Sequence, residues 1–134
     1  MSQENVALVR GIYDSFATGD VPAVLGAMRP DMVWNEAENF PLADRNPYVG
    51  PDAILQGVFV RLAEQWDGFA AEVDELLDAG DTVVALGHYV GTCRATGQPI
   101  RAQLVHVWRI EDGKAKSFQQ YTDTLQVARA AGAA

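Results

Sequence analysis

The sequence predicts an α+β domain in which a curved antiparallel sheet wraps around helices from the first half of the chain. In that half, apolar residues recur every three or four positions, which is the spacing of a helix with one face on a core. From residue 69 onward, strand-like segments are separated by short turns, and such turns join antiparallel neighbours. Helices followed by a four-strand meander are typical of the α+β class, and 134 residues fit one domain, 1–134.

Two helices are predicted before the first strand. An amphipathic helix over residues 4–18 ends at Gly19, which has no Cβ to penalise a positive φ. Asp20 then caps a short second helix with Pro22 in its first turn. We expect Pro30 to end this second helix.

A short strand, a long loop and a third helix are predicted next. The strand covers residues 32–36, and residues 37–49 contain turn-forming residues that favour a loop at the rim of a site. Gly50-Pro51-Asp52 opens the third helix. Its core-facing stripe is predicted to be Ile54, Leu55, Val58, Phe59, Leu62 and Trp66.

Four strands are predicted in the second half, over residues 69–77, 82–93, 100–110 and 115–123. The last two are joined at Asp112-Gly113, a dipeptide typical of tight hairpins because their turns need a positive φ.

Composition excludes several classes of partner. The formal net charge is −8, and the ten basic residues are scattered singly, so we expect neither nucleic acid nor an anionic membrane surface as a partner. No apolar run approaches the ~20 residues that span a bilayer, and the N-terminus lacks the features of a signal peptide. The single cysteine, Cys93, cannot form an internal disulfide, so a cytoplasmic location is expected.

No cofactor or metal is expected from the motifs. His88 and His106 lack the spacing of metal ligands, and there is no cysteine pair. Gly11, Gly19 and Gly26 are isolated and do not form a phosphate-binding loop.

A set of motifs along nearly the whole chain carries a family likeness: Tyr13-Asp14-Ser15-Phe16, Asp31-Met32-Val33-Trp34, Tyr48-Val49-Gly50-Pro51-Asp52, His106-Val107-Trp108-Arg109-Ile110 and Phe118-Gln119-Gln120-Tyr121-Thr122-Asp123. With them the sequence resembles the SnoaL-like and ketosteroid-isomerase-like branch of the nuclear-transport-factor-2-like superfamily. The resemblance implies a cone-shaped sheet (a cystatin-like α+β barrel), a pocket inside the cone, and commonly a homodimer through the outer face of the sheet. It does not fix an activity, because such folds support many functions.

The Asp112-Gly113 hairpin predicts which side chains share a face. With a two-residue loop, Glu111 opposes Lys114 and His106 opposes Gln119. The face expected to line a pocket then carries Leu104, His106, Trp108, Gln119, Tyr121 and Asp123. The opposite face carries Val105, Val107, Phe118, Gln120 and Thr122. A one-residue bulge would move the residues of one strand to the other face.

The turn at residues 95–98 extends this prediction to the preceding strand. A two-residue loop there sets His106 opposite Gly87 and Leu104 opposite Tyr89, so that His88 points to the other face. The family resemblance places Trp34 and Glu36 on the inward face as well.

Four residues are the expected catalytic groups. Asp123 is the candidate general base, Tyr121 and His106 are candidate hydrogen-bond donors to a developing oxyanion, and Glu36 is a second candidate acid or base. SnoaL-like cyclases resemble His-x-Asp at the final strand, where this chain has Tyr121-Thr122-Asp123. The structural alternatives are a strand-end carboxylate for Asp123, a solvated loop-edge residue for Glu36 and a core histidine for His106.

The expected ligand-binding wall is mostly aromatic. It consists of Tyr13, Phe16, Trp34, Phe59, Leu62, Trp66, Tyr89, Leu104, Trp108 and Gln119.

These residues favour a cofactor-independent isomerase or cyclase that moves a proton on an apolar carbonyl compound resembling a polyketide or a steroid. The alternatives are a non-catalytic ligand-binding or accessory domain and a dimeric scaffold with a collapsed pocket. A homodimer is expected from Val105, Val107 and Phe118 on the outer face.

Overall fold

The computed structural model describes residues 2–133, which form helices and six strands. The helical elements are α1 (Ser2–Ala17), α2 (Val21–Gly26), a 3-10 turn (Pro41–Arg45), α3 (Pro51–Ile54), a π-helical turn (Leu55–Phe59), α4 (Val60–Gln65) and α5 (Thr124–Ala130). The strands are β1 (Met28–Asn35), β2 (Tyr48–Val49), β3 (Trp66–Ala79), β4 (Thr82–Cys93), β5 (Pro99–Glu111) and β6 (Lys114–Thr122).

The strands form one sheet in the order β2-β1-β6-β5-β4-β3. The predicted meander of β3 to β6 is confirmed, since each strand pairs antiparallel with the next. The sheet is nevertheless not wholly antiparallel, because β1 pairs parallel with β6. The fold class is the predicted α+β arrangement.

The start of the chain follows the sequence prediction except at Pro30. Asp20 caps α2, its carboxylate accepting from the backbone N–H of Ala23 at 3.2 Å. The helix already ends at Gly26, and Pro30 lies within β1. The β1–β6 register shifts between Met28 and Val33, so the missing N–H of Pro30 interrupts no regular ladder.

The predicted third helix is present as a continuous helical segment, residues 51–65, in which α3 and α4 flank the π-helical turn. Trp66, predicted on the core-facing stripe of this helix, is instead the first residue of β3. A π-helical turn often marks a functional position, and here it supplies Val58 and Phe59 to the cavity described below. The 37–49 segment is less irregular than predicted, because it contains the 3-10 turn and β2.

Curvature of the sheet comes from breaks in its register. β3 shifts against β4 between Asp67 and Ala70 and again between Val73 and Glu75, and bulges of this kind bend the bulged strand. Next to the second shift, a Cβ at Gly87 would collide with the carbonyl oxygen of Glu72, so glycine permits the close approach of the two strands there.

Helix α5 was not predicted. It begins after Asp123 and is followed by Gly132 at φ +78°, and an acidic N-cap followed by good helix formers and a glycine is a recognisable helix signal. Within residues 2–133, none of the helices is long and apolar enough to cross a membrane.

Candidate functional site

A cavity of about 470 Å³ lies between the inner face of the sheet, α1 and the 51–65 helical segment. This volume falls within the range of small-molecule sites. The collapsed-pocket alternative is therefore wrong for this structure. The predicted wall residues found in it are Tyr13, Phe16, Trp34, Phe59, Leu62, Trp66, Tyr89 and Trp108, together with the candidate catalytic groups Glu36 and His106.

Most of the wall is aromatic. Trp34 stacks on Phe118 with ring centroids 3.8 Å apart, and Trp108 meets both rings edge-on. Phe59 bridges Trp34 and Phe16 through edge contacts. These rings hold one another in place, so the cavity is shaped before any ligand enters.

The predicted register of the closing hairpin is wrong beyond its first two pairs. Glu111 opposes Lys114 as expected, but the register shifts after Ile110, and His106 opposes Gln120 instead of Gln119. One extra residue in β6 forms a bulge, which exchanges the faces of the rest of that strand.

The bulge reverses the predicted facing of the five residues from Phe118 to Thr122. Phe118 and Gln120, predicted to face outward, line the cavity, whereas Gln119 and Tyr121 lie on the outer face, Tyr121 with 55% of its surface exposed. A signal for this exists in the sequence, because Ala115 and Phe118 are three positions apart, and strict alternation cannot bury both.

Asp123, the candidate base, is not in the cavity. It is exposed and caps α5, where its carboxylate accepts from the backbone N–H of Gln126 at 3.2 Å. The unpredicted helix thus gives this carboxylate a structural role as its N-cap.

In the β4–β5 hairpin the side chains point to the predicted faces, but the register of the two strands differs from the predicted one. His106 opposes Ala85 instead of Gly87, and Leu104 opposes Gly87 instead of Tyr89. The shift is two residues, which preserves the facing of every side chain. His88 therefore points to the outer face as predicted, and Leu104 is buried in the core but does not line the cavity.

A chain of polar side chains crosses the aromatic wall. The Tyr13 hydroxyl is 2.5 Å from His106 Nδ1, and the Tyr89 hydroxyl is 2.5 Å from His106 Nε2. Trp108 Nε1–H donates to Tyr13 at 2.8 Å, and Gln120 Nε2–H donates to Tyr89 at 2.8 Å. The three central rings come from α1, β5 and β4, so tertiary structure alone brings them together.

Burial keeps the hydrogen-bonded side chains of Tyr13, His106 and Tyr89 uncharged. Desolvation lowers the pKa of His106 to about 3, so the ring is neutral near pH 7. Desolvation also raises the pKa of Tyr13 and of Tyr89, so both hydroxyls keep their protons. Both ring nitrogens of His106 are occupied by tyrosines, so His106 does not itself present a donor to a ligand.

Glu36 is the buried carboxylate of the cavity, with 2% of its surface exposed. Its backbone N–H donates to Asn46 Oδ1, and Asn46 Nδ2–H donates back to the Glu36 carbonyl, so the loop after β1 is fixed by a pair of hydrogen bonds. Trp34 Nε1–H donates to Oε2 at 3.2 Å, while Oε1 has no hydrogen bond to another described residue.

The pKa of Glu36 is raised to about 7, mainly by desolvation, against smaller opposing effects from Trp34 and the charge of Arg61. Arg61 is itself held by Asp44 at 2.8 Å. At neutral pH the carboxyl group is thus poised between its two protonation states.

One further charged side chain lies on the wall of the cavity. Arg94 lies on the wall and pairs with Asp67 at 2.8 Å, both partners being exposed. Among residues 2–133, no three His, Cys, Asp or Glu side chains group closely enough to hold a metal ion.

A six-stranded wrapped sheet closed by helices over an apolar cavity defines the nuclear-transport-factor-2-like class of protein. A solved structure of that class, an NTF2-like protein from Burkholderia thailandensis E264, is 41% identical to this chain, covers 93% of it and 95% of its own length, and superposes with a TM-score of 0.89. The SnoaL-like domain model matches residues 9–118, and the chain belongs to the SnoaL-like family. The predicted family resemblance is confirmed.

More distant solved structures share the fold. A proposed SnoaL-like polyketide cyclase from Jannaschia sp. CCS1 is 19% identical, with a TM-score of 0.85 over 100% of this chain and 95% of that one. A protein with a ketosteroid isomerase-like fold from Catenulispora acidiphila DSM 44928, in complex with trimethylamine, is 17% identical, with a TM-score of 0.78 over 93% and 92%. None of the curated proteins matches the chain.

Proposed function

We propose that this protein is a cofactor-independent isomerase or cyclase that moves a proton on an apolar carbonyl compound, with Glu36 as the general base. The observation that carries the proposal is a single carboxylate with a pKa of about 7 on the wall of an otherwise largely aromatic cavity. A base is most effective when its pKa lies near the working pH.

The chemistry needs only groups of this chain. The free Oε1 of Glu36 takes a proton from the carbon next to the substrate carbonyl, and the electron pair of that C–H bond moves onto the carbonyl oxygen as an enolate. A tyrosine hydroxyl of the Tyr13–His106–Tyr89 chain donates to that oxygen and stabilises its charge. Return of the proton from Glu36 to a different carbon gives an isomer. Attack of the enolate carbon on a second carbonyl closes a ring, and Glu36 then returns its proton to the alkoxide oxygen formed from that carbonyl.

The substrate class follows from the wall. Indole and phenyl rings from Trp34, Trp108, Phe59 and Phe118 suit a flat, apolar skeleton, and a few polar side chains share the same wall. Polyketide-like or steroid-like carbonyl compounds have this character, and the fold relationship to a proposed polyketide cyclase supports the same class.

A test is exchange of carbon-bound hydrogen for deuterium. Apolar ketones of the cavity's size are incubated with the protein in D2O, and exchange beside the carbonyl is followed by NMR. We expect exchange well above the rate without protein for those ketones that bind. Tight binding without any exchange would contradict the catalytic proposal.

The second candidate is a non-catalytic ligand-binding or accessory domain. It is favoured by the same pKa, because a Glu36 that is protonated about half the time near pH 7 can simply donate a hydrogen bond to a bound ligand. The exchange experiment separates the two candidates, since binding alone moves no carbon-bound proton.

We also propose a homodimer through the outer face of the sheet. Phe118 no longer supports it, because that ring is buried in the cavity wall, but Tyr121 is 55% exposed on this face and lies opposite Val105. The mass in solution at micromolar concentration should be twice the 14.5 kDa of one chain, and Tyr121→Asp should reduce it. A monomeric wild-type protein would contradict the proposal.

A cytoplasmic location remains part of the proposal and rests on the lone, unpaired Cys93.

A further inference from the structure

The Tyr13–His106–Tyr89 chain of hydrogen bonds carries one more donor proton than its four contacts can use. Each tyrosine oxygen already accepts one N–H, from Trp108 at one end and from Gln120 at the other. Each tyrosine oxygen also meets one nitrogen of the same imidazole at 2.5 Å. All three rings line the cavity.

The protons of this chain can be counted. A neutral imidazole carries one N–H and one bare nitrogen, so it donates on one side and accepts on the other. Its bare nitrogen takes the hydroxyl proton of the tyrosine on that side. Its N–H donates to the other tyrosine, whose oxygen then accepts two hydrogen bonds and whose own proton has no partner within the chain.

We propose that Tyr13, His106 and Tyr89 act as one unit that offers a single hydroxyl proton to a ligand oxygen, and that the tautomer of His106 selects which tyrosine offers it. With the proton on Nδ1, Tyr13 is the donor to the ligand. With the proton on Nε2, Tyr89 is the donor. His106 is thus a positioning residue that acts through the tyrosines.

The burial of His106 supports this count, because desolvation keeps the imidazole neutral by lowering its pKa to about 3. A charged ring would donate on both sides and leave both hydroxyl protons free. The neutral ring therefore limits the unit to one donor at a time.

The unit defines the ligand it fits. One acceptor oxygen, such as a carbonyl or an ether, can be satisfied directly, whereas two neighbouring acceptor oxygens would compete for one proton. Exchange of the tautomer moves the donor from α1 to β4, so the same cavity accommodates an oxygen at either of two positions. This inference deepens the proposed function. It rests on the proposed function for one assumption, that a ligand oxygen enters this cavity.

The test uses the ligand-free protein labelled with ¹⁵N in histidine. The chain contains two histidines, so the spectrum holds two imidazoles, and His88→Gln assigns the remaining signal to His106. Protonated and bare ring nitrogens are distinguished by their ¹⁵N chemical shifts. We expect His106 to show one protonated and one bare nitrogen, or their exchange average, at every pH from about 5 to 8.

Two matched variants then test the selection. Tyr13→Phe leaves Tyr89 as the only partner, and we expect the proton on Nε2, because a buried N–H without an acceptor is the less tolerable loss. Tyr89→Phe should place the proton on Nδ1 instead. The same tautomer in both variants would overturn the proposal.

The wild-type spectrum tests the proposal even if a variant does not fold, since a doubly protonated ring near neutral pH would overturn it. No substrate is involved in either measurement. The two proposals are therefore judged separately. The tautomer of His106 can be independent of the tyrosines while Glu36-dependent exchange of carbon-bound hydrogen is present. It can also depend on the tyrosines while that hydrogen exchange is absent.

Discussion

Glu36→Gln is expected to lower the rate of carbon-bound hydrogen exchange by roughly 10²–10⁴-fold, the usual contribution of a general base. The amide has nearly the same shape and can still face Trp34, but it cannot take a proton. Ligand affinity should change much less than the rate, because the apolar wall is untouched. The measurement is the exchange rate in D2O together with the dissociation constant of the same ketone.

Two control variants sharpen this result. Glu38→Gln removes an exposed carboxylate two residues away that does not line the cavity, and Asp123→Asn removes a carboxylate while keeping a good N-cap for α5. Both should retain the wild-type rate. A loss below about tenfold in Glu36→Gln would remove the proposed base, and a large loss in Asp123→Asn would restore the role predicted for it from the sequence.

On acidification from about pH 7.5 to 4.5, we expect little change in the free energy of unfolding of the wild-type protein, because the contributions of Glu36 and His106 nearly cancel. In Glu36→Gln we expect this free energy to fall, because only the contribution of His106 remains. The folded pKa of His106 is about 3 and the unfolded value is 6.5, so the unfolded state binds the extra proton first, and stability falls as the pH drops below 6.5. Over this window the loss is on the order of 2–3 kcal/mol.

Glu36 acts in the opposite direction. Its folded pKa of about 7 lies above the unfolded value of 4.5, so the folded state binds the extra proton, and stability rises as the pH falls from 7 to 4.5 by on the order of 3 kcal/mol. Removing this carboxyl therefore makes the protein more acid-sensitive between pH 7.5 and 4.5.

Chemical denaturation at both pH values measures these changes in the free energy of unfolding. Glu36→Gln should lose about 2–3 kcal/mol more than wild type on acidification, and adding His106→Gln should abolish the histidine part of that loss. Equal pH dependence in wild type and Glu36→Gln would show that Glu36 titrates normally.

Local sequence patterns were sufficient for most of the elements. Asp20 as an N-cap, the bounds of β4 at Thr82–Cys93 and the Asp112-Gly113 turn follow from short-range steric and hydrogen-bonding preferences, which act the same way in any fold. The missing N–H of Pro30 predicts the end of a helix, but Pro30 lies in β1, where an irregularity of the register tolerates it.

The site was predicted in part. The inward facing of His106 and Tyr89 follows from strand alternation, which a register shift of two residues leaves intact, whereas that of Trp34 and Glu36 was implied by the family resemblance. The predicted position of Asp123 on the cavity wall is not found, because one bulged residue in β6 reverses the facing of the residues after it, and Asp123 caps α5.

The sequence by itself determined the order of the main helices and strands up to β6, the class of fold and the aromatic character of the wall, because periodicity and turn chemistry are local. Only the tertiary structure decided which carboxylate is desolvated and which hydroxyls meet His106. Tyr13, Tyr89 and His106 come from three separate elements, and their contacts depend on how strands bulge and helices close over the sheet. Burial then shifts the pKa of Glu36, and burial is a property of the packed molecule that no local pattern contains.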